Sequence, residues 1–144
     1  NLQHKGATSN VKLSASNIST SVDFSGTSIE LLQKKIDYLG LENILIFEGD
    51  YKDSLNENMH TEVKFMTVLM DCDLYESHKI ALPFTWKRMA VGGYMFLDEY
   101  YSLKFPGARK AINEFFKYKK EKPNMSVQKP MEFERWTVTK EIDK

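Results

Sequence analysis

Four carboxylates stand at the ends of two apolar runs. Phe65–Met70 runs into Asp71 and Asp73, and Tyr94–Leu97 runs into Asp98 and Glu99. Carboxylates are hard oxygen donors, the ligands that Mg²⁺ accepts in octahedral geometry while it keeps waters or substrate oxygens. A cation held there can bind a diol and lower the pKa of a hydroxyl, preparing it as a nucleophile. The same acids could instead be caps and solvated turns, and Asp73 is placed to cap the helix that follows it. The residues alone leave both readings open.

Each acid pair needs a strand to present it. A short apolar run bounded by charge or turn signals reads as a buried strand, and Phe65–Met70 is apolar enough to be covered on both faces. Between the runs, Leu74 to Met89 reads as a crossover helix with Pro83 inside it, so that it either begins late or kinks. Gly92-Gly93 reads as the turn into the second strand. Strand, helix and strand within about 35 residues make the parallel crossover unit. Ligands in such sheets bind beyond the carboxyl ends of the strands, where these four acids fall.

The rest of the chain extends that unit. Residues 1–26 are rich in Ser, Asn, Thr and Gly and predict an irregular lead-in, with 27–144 as the α/β domain. Thr27 and Glu30 fit a capping box, and Ile29, Leu32, Ile36 and Leu39 form one helical stripe that stops at Gly40. Asn43–Phe47 reads as a short strand, and Tyr51–His60 as a loop with a helical turn. Tyr101–Pro106 is a loop. Ala108, Ala111, Ile112, Phe115 and Phe116 follow the spacing of an amphipathic helix reaching about Lys120. Met125–Lys129 and Phe133–Thr139 predict a closing antiparallel pair, with Trp136 and Val138 inward and Arg135 and Thr137 outward. The sum is an α/β sheet with a parallel centre and an antiparallel C-terminal edge.

Composition narrows the function. The chain has 144 residues, 20 Lys plus Arg and 20 Asp plus Glu, so no net field draws it to nucleic acid or an anionic membrane. No apolar run approaches the roughly 18 residues of a membrane span, and no signal peptide is visible. Cys72 is the single cysteine, which excludes an internal disulfide and makes the cytoplasm the expected compartment. The Asn17 and Asn124 glycosylation acceptors therefore read as chance. The first residue is Asn1 rather than Met, which suggests a processed or truncated product.

The segments DCDLYESHKIALPFTWKRMAVGGYMFLDEY and PGARKAINEFF resemble the macrocin O-methyltransferase family of class I methyltransferases. That family carries an Asp-x-Asp-Leu-Tyr-Glu-Ser-Thr run, an Asp-Asp-Tyr strand end and Pro-Gly-x-Arg-x-Ala-Val-Asp-Glu-Phe. Asp23-Phe24-Ser25, Tyr38-Leu39-Gly40-Leu41 and the run from Phe47 to Leu55 match it upstream, so the resemblance spans about residues 22–116. It implies a Rossmann-like methyltransferase sheet lacking the N-terminal cofactor-binding strands, with only the C-terminal two-thirds of the domain present. It also implies methyl transfer from S-adenosyl-L-methionine to a hydroxyl, usually on a sugar-like small molecule of natural-product biosynthesis, with Mg²⁺ assistance. Carried across, Asp71, Asp98 and Glu99 fall at metal positions. Gly49 and Asp50, with Asp71, fall on the cofactor side, while Tyr75 and Arg109 match motif residues without an assigned role.

This chain departs from the pattern in places. Glu99 replaces the second Asp of the pair, His78 replaces Thr, Asn113 replaces Asp, and Val91-Gly92-Gly93 lacks the usual Pro. Gly6 and Gly26 are isolated, so residues 1–26 offer no glycine-rich cradle, and the expectation is weak cofactor binding by this piece alone. Asp71 and His78 are the catalytic candidates; His78 has the chemistry of a general base for the hydroxyl, although a lone helical His is more often structural. Cys72 lies between two acids that should raise its thiol pKa. Tyr100, Tyr101 and Phe105 read equally as a substrate wall or a loop anchor. His4 and His60 sit in polar stretches, and no zinc spacing occurs. The competing function is a non-catalytic α/β module whose acids are caps and whose sheet edge binds a partner or a second copy.

Overall fold

The computed structural model describes residues 28–56, 62–127 and 134–142. The expectations for residues 1–26, for Thr27 and for His60 lie outside them. The crossover unit is at the centre. Strand β1 (Phe65–Met70) is followed by helix α3 (Tyr75–Arg88) and strand β2 (Met89–Leu97), and the two strands pair in parallel with Met70 opposite Leu97. Two shorter helices precede them, α1 (Ile29–Tyr38) and α2 (Tyr51–Ser54). A single 3-10 turn (Asp98–Tyr101) leads from β2 to α4 (Pro106–Phe116), and β3 (Asn124–Val127) and β4 (Arg135–Thr139) close the chain. The sheet runs β1-β2-β4-β3, with β4 antiparallel to both of its neighbours. It is thus the mixed α/β sheet that the apolar runs imply.

Burial on one face holds the sheet. Met70, Met95, Leu97 and Val138 point into a core completed by Leu82, Trp86 and Met89 and by Ile112 and Phe116 of α4. Trp86 meets Phe116 edge-on at 4.9 Å between ring centroids, a favoured aromatic geometry. Helices α3 and α4 meet closely at their first turns: a Cβ on Gly107 would lie 2.9 Å from Tyr75 Cβ. The Tyr75 hydroxyl donates to Glu114 Oε2 at 2.7 Å across the same seam. Tyr75 thereby gains a packing role between the helices.

Several sequence expectations are corrected. β1 is not covered on both faces, because Met66 and Leu69 are 63% and 62% exposed. Helices α3 and α4 pack on one side of the sheet only, and the side carrying Leu69 and Tyr94 stays largely open among the described residues. Asn43–Phe47 is not a strand, since no described strand pairs with it, and Ile44, Leu45 and Phe47 are exposed. In α1 only Ile36 of the predicted stripe is buried, and Ser28 caps the helix by accepting from Leu31 N at 3.2 Å. Gly92-Gly93 is not a turn before β2 but a bulge within it: Phe65 pairs with Met89 and Thr67 already with Tyr94. Helix α3 runs unbroken through Pro83, which lies on its exposed side, where water can meet the Lys79 carbonyl the ring deprives of a donor. Helix α4 stops at Phe116, with Lys117 as its C-cap, short of Lys120. Thr137 is buried rather than outward, its hydroxyl 3.5 Å from Asn124 O.

Candidate active site

The parallel register puts both acid pairs at one end of the sheet. Met70 and Leu97 are partners, so Asp71 and Asp98 leave adjacent strands side by side. Asp71, Asp73 and Glu99 each offer an oxygen, and these atoms lie within 4.8 Å of one another. Asp98 stands outside that group of three yet close to it, for its charge acts on Asp73 and Glu99 and that of Asp71 acts on it.

Asp73 is not a cap. The N-cap of α3 is Leu74, which makes no side-chain capping bond. Asp73 itself takes φ of 52°, the left-handed region that Asp tolerates better than most residues. Its carboxylate is therefore directed to the cluster without a helix-capping use. Glu99 and Asp98 are held by the 3-10 turn that begins where β2 ends.

Crowding and burial make the cluster poorly tolerant of its own charge. Burial first, then Asp71 and Asp98, raises the Asp73 carboxyl above its ordinary value, against a smaller pull from Lys104. Burial and Asp71 raise Asp98, with Arg135 opposing. Burial raises Glu99 as well, helped by Asp73, Asp98 and Asp71 and opposed by a hydrogen bond with Ser102. The Cys72 thiol is pushed up to about 12, by burial before the flanking acids, so it is no nucleophile. An all-oxygen donor set that accumulates negative charge fits a hard divalent cation such as Mg²⁺.

The wall beside the cluster comes from two directions. Tyr51 opens α2 immediately after Gly49 and Asp50, and its hydroxyl is raised by burial and by the charges of Cys72, Asp71 and Asp73. Its closeness to the acids was missed in the sequence, where only its position after Gly49-Asp50 hinted at it. Asp50 caps α2, accepting from Lys52 N at 2.9 Å, and Gly49 takes φ of 130°.

On the other side, Tyr100, Tyr101 and Phe105 anchor the loop. Tyr100 is buried and donates to Asn113 Oδ1 at 2.8 Å, which gives the Asn113 departure a structural use. Tyr101 stacks on Trp136 with an interplanar angle of 5°. Arg109 covers the rings of Tyr101 and Tyr100 at 4.8 and 5.4 Å. His78 is fully buried one turn into α3, its Nδ1 3.0 Å from Leu74 O. Burial lowers its pKa, against the Leu74 bond and Asp71. The ring is thus closed off from solvent.

The Macrocin-O-methyltransferase (TylF) model matches residues 9–133. The chain belongs to the macrocin O-methyltransferase family. No curated protein matches it. Among solved structures it is similar to one described as "Structure of the O-methyltransferase NovP", at 20% sequence identity and a TM-score of 0.66. That match covers 81% of this chain and 46% of the other, so the chain spans less than half of that relative's length. The likeness establishes a methyltransferase-like α/β fold for this macrocin O-methyltransferase family member. No helix among the described residues is long and apolar enough to cross a membrane.

Proposed function

We propose that the chain carries the acceptor-activating side of an S-adenosylmethionine-dependent, Mg²⁺-assisted O-methyltransferase whose acceptor is a hydroxyl on a small, sugar-like molecule. The observation that carries the reading is the gathering of Asp71, Asp73, Asp98 and Glu99 at the carboxyl ends of two parallel strands, where oxygens of Asp71, Asp73 and Glu99 lie within 4.8 Å of one another. Membership of the family supplies the reaction class.

Asp71, Asp98 and Glu99 hold the cation. When bound, the cation supplies Lewis-acid polarisation of the acceptor hydroxyl and S-adenosylmethionine is the methyl source. Asp73 takes the hydroxyl proton. Its carboxylate oxygen lies within 4.8 Å of those of Asp71 and Glu99, beside the cation they would hold. His78 is a poorer base here because its ring is sealed in the core. Gly49 and Asp50 form part of the border on the donor side. The capping alternative for Asp73 is disfavoured, because α3 begins without a side-chain cap.

Calorimetric titration of Mg²⁺ into wild type and into Asp71→Ala, Asp98→Ala, Glu99→Ala and Asp73→Asn tests this. The three alanine variants are expected to lose about tenfold or more in affinity, and Asp73→Asn less. Unchanged affinity in both Asp71→Ala and Glu99→Ala would end the metal reading. A larger loss in Asp73→Asn than in Asp98→Ala would exchange the roles given to those two residues.

A further inference from the structure

His78, which stands where the family pattern carries Thr, has one ring nitrogen without an assigned use. Its Nδ1 faces the Leu74 carbonyl at 3.0 Å. A carbonyl only accepts, so Nδ1 carries the single proton of the neutral ring and donates it. Nε2 is then a bare acceptor. It is buried and has no hydrogen-bond partner among the described residues. Buried acceptors in native proteins are rarely left so; they are met by a protein donor or by an ordered water. The carboxylate whose charge reaches this ring is Asp71, at the end of the strand against which α3 packs.

We propose that His78 is a positioning residue for the carboxylate cluster: Nε2 accepts a hydrogen bond from a buried water whose second hydrogen goes to Asp71. One water then satisfies two acceptors, and a bridge of this kind approaches a direct hydrogen bond in strength. One Asp71 oxygen is fixed from behind, leaving the other turned toward the cation. Groups behind a metal ligand commonly set its orientation in this way. The inference rests on the Mg²⁺ reading above, and the experiment separates the two.

Mg²⁺ and Mn²⁺ are titrated calorimetrically into the whole chain as wild type, His78→Phe and His78→Gln. Phe keeps a ring but has no acceptor; the Gln side chain offers an oxygen near the place of Nε2. His78→Phe is expected to weaken both cations about tenfold, and His78→Gln to recover most of the loss. Wild-type affinity in a folded His78→Phe overturns this inference alone. Equal weakness in both variants also overturns it, because ring packing would then be the cause. A wild type that binds neither cation overturns the metal reading and this inference together. If His78→Phe does not fold, ¹⁵N spectra of the wild-type imidazole decide. A ring protonated at Nδ1 whose Nε2 resonance moves on adding Mg²⁺ is expected, and an unmoved resonance overturns the inference.

Discussion

Asp73 joins backbone strain to a crowded charge. It is the only non-glycine residue with positive φ among the described residues, and its carboxyl is raised by burial and by Asp71 and Asp98. Sparsely populated backbone conformations persist where the surroundings impose them, and they cluster at functional sites. Replacing Asp73 with Gly removes both the strain and the charge. Asp73→Gly is therefore expected to leave the fold as stable as wild type or more stable by up to about 1 kcal/mol, measured by urea unfolding. A clear fall in stability would show that this carboxylate has a structural use. The Asp-x-Asp spacing was legible in the sequence. The left-handed turn was not, because it depends on where α3 starts, and Leu74 rather than Asp73 occupies the cap.

At the scale of elements, the bulge in β2 sets which residues reach the sheet's end. Extra residues of β2, Gly92 and Gly93 among them, are absorbed between the Phe65 and Thr67 pairings, so that Leu97 comes level with Met70. Gly92 has φ of 82°, and a Cβ on Gly93 would lie 2.7 Å from Ala90 O and 3.1 Å from Phe65 O. Gly93→Ala is expected to destabilise the fold by about 1–3 kcal/mol, since backbone rather than a flexible side chain must yield. Denaturant unfolding at two probes checks this, and a variant as stable as wild type would mean that the bulge relaxes freely. The buried Lys140 fastens the same corner. Its Nζ donates to Trp86 O and Met89 O at 3.1 and 2.9 Å, joining the end of β4 to the α3–β2 junction. Lys140→Met is expected to cost about 1–3 kcal/mol by leaving buried carbonyls without that donor, readable as a lower urea midpoint at unchanged slope. Nothing in the sequence singled this lysine out among the others, because its burial is decided by strand order.

For the whole molecule, the acids couple stability to pH in opposite senses. The raised carboxyls of Asp73, Asp98 and Glu99 bind protons more tightly folded than unfolded. Their contribution is full below the unfolded carboxylate value and is lost as pH rises through the raised folded values. Glu121 behaves oppositely. Burial pushes it up, but backbone donors including Glu141 N and Ile142 N outweigh that and lower it. Its contribution is present above the unfolded value and is lost as pH falls through the lowered one. A divalent cation needs the cluster deprotonated, so added Mg²⁺ should raise the unfolding midpoint clearly at about pH 7.5 and little at about pH 5. The same rise at both pH values would place the cation away from these carboxylates.

The sequence by itself determined the crossover unit and the end of the sheet where the acids gather, because apolar runs that stop abruptly in charge are local signals. β1 was legible to the residue and α4 by its first turns. Asn43–Phe47 misled for the same reason: an apolar run predicts a strand, but a strand exists only beside a partner, and none of the described residues supplies one. Tertiary structure alone decided that Asp73 joins Asp71 and Glu99, that Tyr51 borders them, and that His78 is sealed in the core. These facts depend on strand register and helix packing, in which distant residues fix one another's position, and no local spacing encodes that.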